Sequence, residues 1–382
     1  MENLYKDKLP GQGTSIFAVM SELARQTGAV NLSQGFPDFP VSSELIDSIY
    51  RFMREGKNQY APMPGVPELR AVLSEKIKKL YRTAFDPETE ITVTAGATQA
   101  LFTAIQAFVD KDDEVIVFEP AYDSYVPAVM LAGGKPVFIR LTKPDFSIDW
   151  DEVKSKITPK TRLIIVNTPN NPGGYVFSPA DWKALQEITA STRIIILSDE
   201  VYEHIIFDGQ THESGLKYPG MRERLLAVFS FGKTFHATGW KTGYAVGNEK
   251  LMRLFRKVHQ FNVFSVNTPV QYALTQYLRN EQNFSTLPAF YQAKRDYFIK
   301  GLEHSRWKVI PTRGTYFILL DYSAISNEKE YDFAVRLTQQ SGVASIPLSS
   351  FYHDAFDQQC LRFCFAKQQQ TLDKALALLT KI

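Results

Sequence analysis

The sequence predicts an α/β protein: a mostly parallel sheet sandwiched by helices, with a smaller α+β domain beside it. Three observations carry this. Between about residues 91 and 248, short apolar runs alternate with helical periodicity, the pattern of strands covered on both faces by helices. Beyond 248 long helical patterns dominate before three further strand-like runs appear, a texture of segregated helices and strands. At 382 residues the chain also exceeds what one ordinary core holds, so two domains are expected.

The chain begins with an irregular stretch punctuated by Gly11, Gly13, Gly35, Pro37 and Pro40. Helical spacing starts near Ser43, with Leu45, Ile46, Ile49, Phe52 and Met53 on one stripe, and resumes after Pro67 with Leu69, Val72, Leu73, Ile77 and Leu80. Strands are expected over 91–94, 114–118, 135–141, 163–167, 194–198 and 225–230, with helices over 98–109 and 179–190 among them. Further helices are expected at 249–260, 270–278, 288–302, 330–340 and 370–379, and strands at 307–310, 315–321 and 361–365. The predicted division is an N-terminal arm contributing to the small domain (1–45), a large ligand-binding domain (46–280) and a C-terminal small domain (281–382).

The composition is 44% hydrophobic and 22% charged, with 43 basic and 41 acidic side chains giving a formal charge of +2. Such a balance fits a soluble globular enzyme and disfavours disorder or a nucleic-acid partner. The densest basic stretch, 76–82, has the spacing of a solvated helix face. Two cysteines four residues apart, Cys360 and Cys364, fit free thiols in a reducing compartment better than a bridge. No signal-like or membrane-length apolar run is present, so a cytoplasmic setting without membrane contact is expected.

The chemistry gathers where strands end, the place at which open α/β sheets bind ligands. Lys233 follows the apolar run 225–229 within Ser230-Phe-Gly-Lys233; burial there lets an amine shed its proton and form a Schiff base with a carbonyl. Asp199 ends the run 194–198 and needs a partner, either a protonated ring nitrogen or the N–H groups of a helix it caps. Tyr202 brings a phenol to the same rim. Asn171 lies in the turn Asn167-Thr-Pro-Asn-Asn-Pro-Gly-Gly174, whose composition a plain turn also explains. Gly96-Ala-Thr98 opens a helix whose free N–H groups suit a phosphate, or is an ordinary helix start. Together Lys233, Asp199, Asn171 and Tyr202 suggest a pyridoxal-phosphate site. Other patterns fail: Ala227 stands where a P-loop before Gly232-Lys-Thr234 needs glycine, and the six histidines show no metal-ligand spacing.

In these motifs, and in Asn31-Leu-Ser-Gln-Gly-Phe-Pro-Asp-Phe39, Asn58-Gln-Tyr60 with Gly65, and Leu361-Arg-Phe-Cys-Phe365, the chain resembles the class I/II aminotransferases of fold type I. The resemblance runs from near Thr14 to the end and is strongest to the branch holding bacterial methionine aminotransferase and kynurenine aminotransferase (glutamine transaminase K). It implies that Lys233 binds pyridoxal 5'-phosphate covalently and then shuttles the proton. Asp199 would pair with the ring nitrogen, Asn171 and Tyr202 would bond the ring oxygen, and Tyr122 would stack on the ring. Ala97, Thr98, Ser230, Lys241 and a second subunit's Tyr60 would hold the phosphate, making the protein a homodimer with shared sites. Arg362, with Asn171 and the backbone of Gly35, would fork onto the substrate carboxylate. Two departures are visible: Gly173 where many relatives carry Ser or Thr, and Lys241 where others carry Arg.

The implied reaction is a ping-pong transfer of the amino group of an apolar or aromatic amino acid to a 2-oxo acid. Methionine leads, followed by phenylalanine, tyrosine, leucine and kynurenine. Phe17, Tyr60, Tyr122, Phe261 and Phe264 are the aromatic residues expected near the pocket. A cysteine-S-conjugate β-lyase on the same cofactor is the alternative. A cofactor-binding transcriptional regulator is disfavoured, because no helix-turn-helix or basic stripe precedes Asn31.

Overall fold

The computed structural model describes residues 5–382. In chain order its strands are β1 (Val30–Asn31), β2 (Ile91–Thr94), β3 (Glu114–Glu119), β4 (Lys135–Arg140), β5 (Thr161–Asn167), β6 (Ile195–Asp199), β7 (Leu225–Ser230), β8 (Gly243–Gly247), β9 (Lys308–Ile310), β10 (Phe317–Asp321), β11 (Val343–Ala344), β12 (Ile346–Pro347) and β13 (Cys360–Cys364). A seven-stranded sheet has the order β2-β8-β7-β6-β5-β3-β4. All its neighbours pair in parallel except β8, which runs against β2 and β7. Strands β3, β5, β6 and β7 are apolar nearly throughout and buried along their length, as a sheet covered on both faces requires.

The expected elements are present with end shifts of no more than two residues, and three features are the clearest departures from the expectation. The irregular start contains a helix, Ile16–Thr27, closed by Gly28 in the left-handed conformation at φ 67°; left-handed backbone is what a glycine after a helix supplies. Strand β8 was not expected. Its ends are glycines because side chains do not fit: a Cβ on Gly243 would meet the Phe229 carbonyl at 2.5 Å, and one on Gly247 would meet Leu226 at 2.8 Å. The basic stretch near 76–82 is not wholly solvated. Lys76 turns inward from the helix Pro67–Tyr81 and is buried, with Nζ 2.6 Å from Glu203 and 3.0 Å from the Tyr244 hydroxyl, while Lys78, Lys79 and Arg82 stay exposed.

A four-stranded sheet, β12-β13-β10-β9, is antiparallel throughout. The chain's beginning joins its end: β1 pairs in parallel with β11, and the Cys364 N–H donates to the Leu32 carbonyl at 2.8 Å. This carries the loop containing Gly35 across the small sheet and toward the carboxyl ends of the large one. Among the described residues, no helix is long and apolar enough to cross a membrane.

Candidate active site

Because β2, β5, β6 and β7 are parallel, the residues that follow them meet on one rim. Gly96 and Ala97 follow β2, Asn167 ends β5 and Asn171 follows it, Asp199 ends β6, and Ser230 ends β7. The reversed strand β8 joins the rim by its beginning, since Gly243 pairs with both Thr94 and Ser230. That pairing sets Lys241 and Thr242 beside Ser230. Together these residues line a cleft of about 310 Å³ with Phe17, Gly35, Phe36, Thr98, Tyr122, Tyr202, Lys233, Phe317 and Arg362. The main sheet and the small sheet each supply one wall.

Every site residue named from the sequence lies in this cleft except Tyr60. Tyr60 is 81% exposed on the outer surface, edge-on to Phe264 at 5.3 Å. Phe261 and Phe264, expected near the pocket, do not line it. The helix Glu249–Asn262 turns Leu251, Met252, Phe255 and His259 inward, which leaves Phe261 in solvent on its other face. Phe36 and Phe317 take the places expected for them.

Lys233 sits in the short helix Phe231–Thr234, one turn past β7. Burial lowers its amine to about 8, since a charged ammonium loses water there. Its Nζ donates to the Tyr316 hydroxyl at 3.1 Å and lies 3.4 Å from the Gly35 carbonyl. Across the cleft, burial raises the Asp199 carboxyl to about 6. Asp199 caps no helix. It accepts from the Tyr125 hydroxyl at 2.5 Å, and its backbone carbonyl accepts from the Asn167 side chain and the Thr168 N–H, each at 3.0 Å. A cation facing this carboxylate would draw its pKa back down.

Arg362 is the second buried cation. Its guanidinium stands 3.9 Å from the Phe317 ring centroid, with the rings of Phe17 and Phe351 at 5.0 and 5.2 Å. One terminal nitrogen donates to Asn171 Oδ1 and the other to the Ser33 carbonyl, both at 2.9 Å. Nε is buried with no partner among the described residues. A buried donor without an acceptor costs about 1–3 kcal/mol; the side chain as a whole lines the cleft, where its charge suits a carboxylate. Asn171 reaches this position because its N–H is held by the Asn167 side chain at 2.8 Å.

The residues also fit a phosphorylated pyridine aldehyde. Gly96, at φ 82°, opens the helix Ala97–Phe108, so its first N–H groups face the cleft beside Ser230 and Lys241, a ready anion site. Asp199 suits a ring cation, Tyr122 offers an aromatic face, and Lys233 offers the amine. Tyr125 and Tyr316 were missed by sequence reasoning. Tyr125 stands in the motif that contributes Tyr122, and Tyr316 directly precedes β10; only their contacts with Asp199 and Lys233 reveal them.

Comparison with known proteins agrees with this arrangement. Residues 27–379 match the family described as aminotransferase class I and II. The chain is 49% identical over 368 residues to the methionine aminotransferase of Escherichia coli (strain K12), covering 96% of this chain and 95% of that one. Superposition on a crystal structure of an Escherichia coli methionine aminotransferase gives a TM-score of 0.97 at 48% identity, over 99% of this chain and 100% of that one. It is 35% identical to kynurenine–oxoglutarate transaminase 1 of Mus musculus, over 97% of this chain and 96% of the relative. A probable N-succinyldiaminopimelate aminotransferase of Mycobacterium tuberculosis (strain ATCC 25618 / H37Rv) is 36% identical over the same shares.

Proposed function

The chain belongs to the class I and II aminotransferases, which work with pyridoxal phosphate, and on that premise we propose that its preferred amino donors carry apolar or aromatic side chains, methionine first. One observation carries the preference. The cations lining the cleft are Lys233, Lys241 and Arg362, and each has a task at the cofactor or at the substrate's α-carboxylate. None remains for a second carboxylate. The walls left for the donor's side chain are the rings of Phe17 and Phe36. An acidic donor would bury an uncompensated charge there.

The site roles belong to the same proposal. Ala97, Thr98, Ser230 and Lys241 would hold the phosphate, Asp199 the ring nitrogen, Asn171 and Tyr202 the ring oxygen, and Tyr122 the ring face. When bound, the cofactor supplies an aldehyde that takes the amino group and a protonated ring that withdraws electrons from the α-carbon. Arg362, braced by Asn171, would clamp the α-carboxylate and so turn the α-hydrogen toward Lys233. Lys233, whose pKa burial lowers to about 8, takes that proton in its neutral form and later returns it one atom along. Tyr202 closes the wall beside Lys233, its ring 5.7 Å from Nζ.

Borohydride reduction of the loaded enzyme should fix the pyridoxyl group on Lys233, read by mass spectrometry. In a donor panel with methionine, phenylalanine, leucine, kynurenine and aspartate, methionine should exceed aspartate in kcat/KM by roughly a hundredfold. Preference for aspartate would overturn the reading. The relatives reported above are named for amino transfer, and elimination from cysteine conjugates is not favoured. The proposal extends to a homodimer in which Tyr60 completes the neighbouring site, to a division at about 45 and 280, and to a cytoplasmic setting, which the buried free thiols Cys360 and Cys364 support.

A further inference from the structure

We propose that Tyr316 is a further catalytic residue: its hydroxyl receives the free amine of Lys233 and fixes the direction of the nitrogen lone pair. The inference rests on the assignment of Lys233 as the group that moves the proton. Three atoms form a closed triangle. The Tyr316 hydroxyl donates to the Gly35 carbonyl at 2.6 Å, so its proton is committed and its lone pairs face outward. The Lys233 amine donates to that hydroxyl at 3.1 Å and lies 3.4 Å from the same carbonyl.

A neutral amine has two N–H bonds and one lone pair. Both acceptors lie close together on one side of Nζ, so the amine turns its hydrogens to that side and the lone pair is left for the cleft. Tyr316 is fully buried and does not line the cleft, so its hydroxyl stands behind the amine, away from any ligand. Burial, rather than this triangle, is what lowers the amine to about 8.

The triangle is rigid. Gly35 is pressed on the Phe317 ring so closely that a Cβ would approach it to 2.7 Å. The Tyr316 ring packs edge-on to Tyr202 at 5.2 Å and against Tyr291 at 5.8 Å. Its backbone carbonyl accepts from the Phe365 N–H at 3.0 Å, and Thr315 beside it is tied to the Ile205 carbonyl at 2.9 Å. Directly after Tyr316, β10 pairs with β13, which carries Arg362. One sheet therefore positions both the clamp on the carboxylate and the rest for the amine, and it fixes the distance between them. Tyr316 keeps its own proton on Gly35 throughout. The hydrogen leaving the α-carbon goes to Lys233 Nζ, and its electron pair stays with the substrate.

Tyr316→Phe keeps the ring and removes the acceptor. In the cofactor-loaded enzyme, kcat for methionine should fall roughly ten- to a hundredfold with KM little changed, and the isotope effect with α-deuterated methionine should rise as proton transfer becomes limiting. In cofactor-free protein, acetylation of Lys233 followed by mass spectrometry should shift its pH profile downward, because an oxygen that stabilised the ammonium is gone. A kcat and isotope effect equal to those of the parent would overturn the proposal. So would a raised KM at parental kcat, the mark of a hydroxyl that merely anchors the Gly35 loop. The borohydride label separates the two readings: no label on Lys233 of the parent enzyme sinks the site assignment, whereas a labelled Lys233 with a fully active Tyr316→Phe sinks only the role of Tyr316.

Discussion

Asp199 shows what a cofactor site demands of the protein that carries it. In the cofactor-free protein burial raises its carboxyl from the ordinary 3.8 to about 6. Between those values the unfolded chain has already given up its proton while the folded chain keeps it, so stability falls as pH rises through the window and stays reduced above it. The difference amounts to about 3 kcal/mol at neutral pH. Asp199→Asn removes it. Urea unfolding of the cofactor-free variant at pH 7 should show a gain on the order of 1–3 kcal/mol, vanishing below pH 4, where the carboxyl is protonated in both states. Equal stability of parent and variant at pH 7 would contradict the argument. Lys233, Asp199 and Arg362 could be found from sequence because each stands in or just past an apolar strand, where a charge needs a reason. Tyr125 and Tyr316 could not, because each acts on a residue 74 or 83 positions away.

At the scale of elements, the inward turn of Lys76 makes the helix Pro67–Tyr81 part of the floor behind the site. Burial alone would raise the Glu203 carboxyl, but the Lys76 charge overrides it and holds Glu203 down at about 2. Tyr81 and Tyr244 donate to the same carboxylate, and Glu203 follows Tyr202 in the chain. Lys76→Met should therefore cost about 3–5 kcal/mol of unfolding free energy, and Lys76→Met combined with Glu203→Gln should recover most of it; a harmless single variant would refute the pairing. The sequence gives no sign of this pair, because a lysine among other lysines reads as solvated surface. Strand β8 was hidden for a related reason. Glycine is depleted in strands, and the two that bound β8 are there because neighbouring atoms leave no space for a Cβ. The parallel strands, by contrast, announce themselves through unbroken apolar runs.

At the scale of the whole molecule, the surface around Tyr60 bears on assembly. Tyr60 and Phe264, in contact with each other, are 81% and 54% exposed, an aromatic pair of the kind that interfaces cover. Sedimentation equilibrium should give twice the chain mass. Mixed dimers of Lys233→Ala and Tyr60→Ala chains should regain activity that neither variant shows alone, since one of the two sites in each mixed dimer is then intact. Failure of this complementation would remove Tyr60 from the neighbouring site.

The pairing of β1 with β11, and of Leu32 with Cys364, sets a timetable for synthesis. A ribosome has to deliver residue 364 before the carbonyl of residue 32 finds its partner, and residue 362 before the carbonyl of Ser33 does. The first segment to line the cleft waits unpaired while more than three hundred residues emerge behind it. Contacts of such long separation form late and slowly. Lys233 and Asp199 can thus be in place on a nascent chain well before Arg362 arrives to complete the cleft.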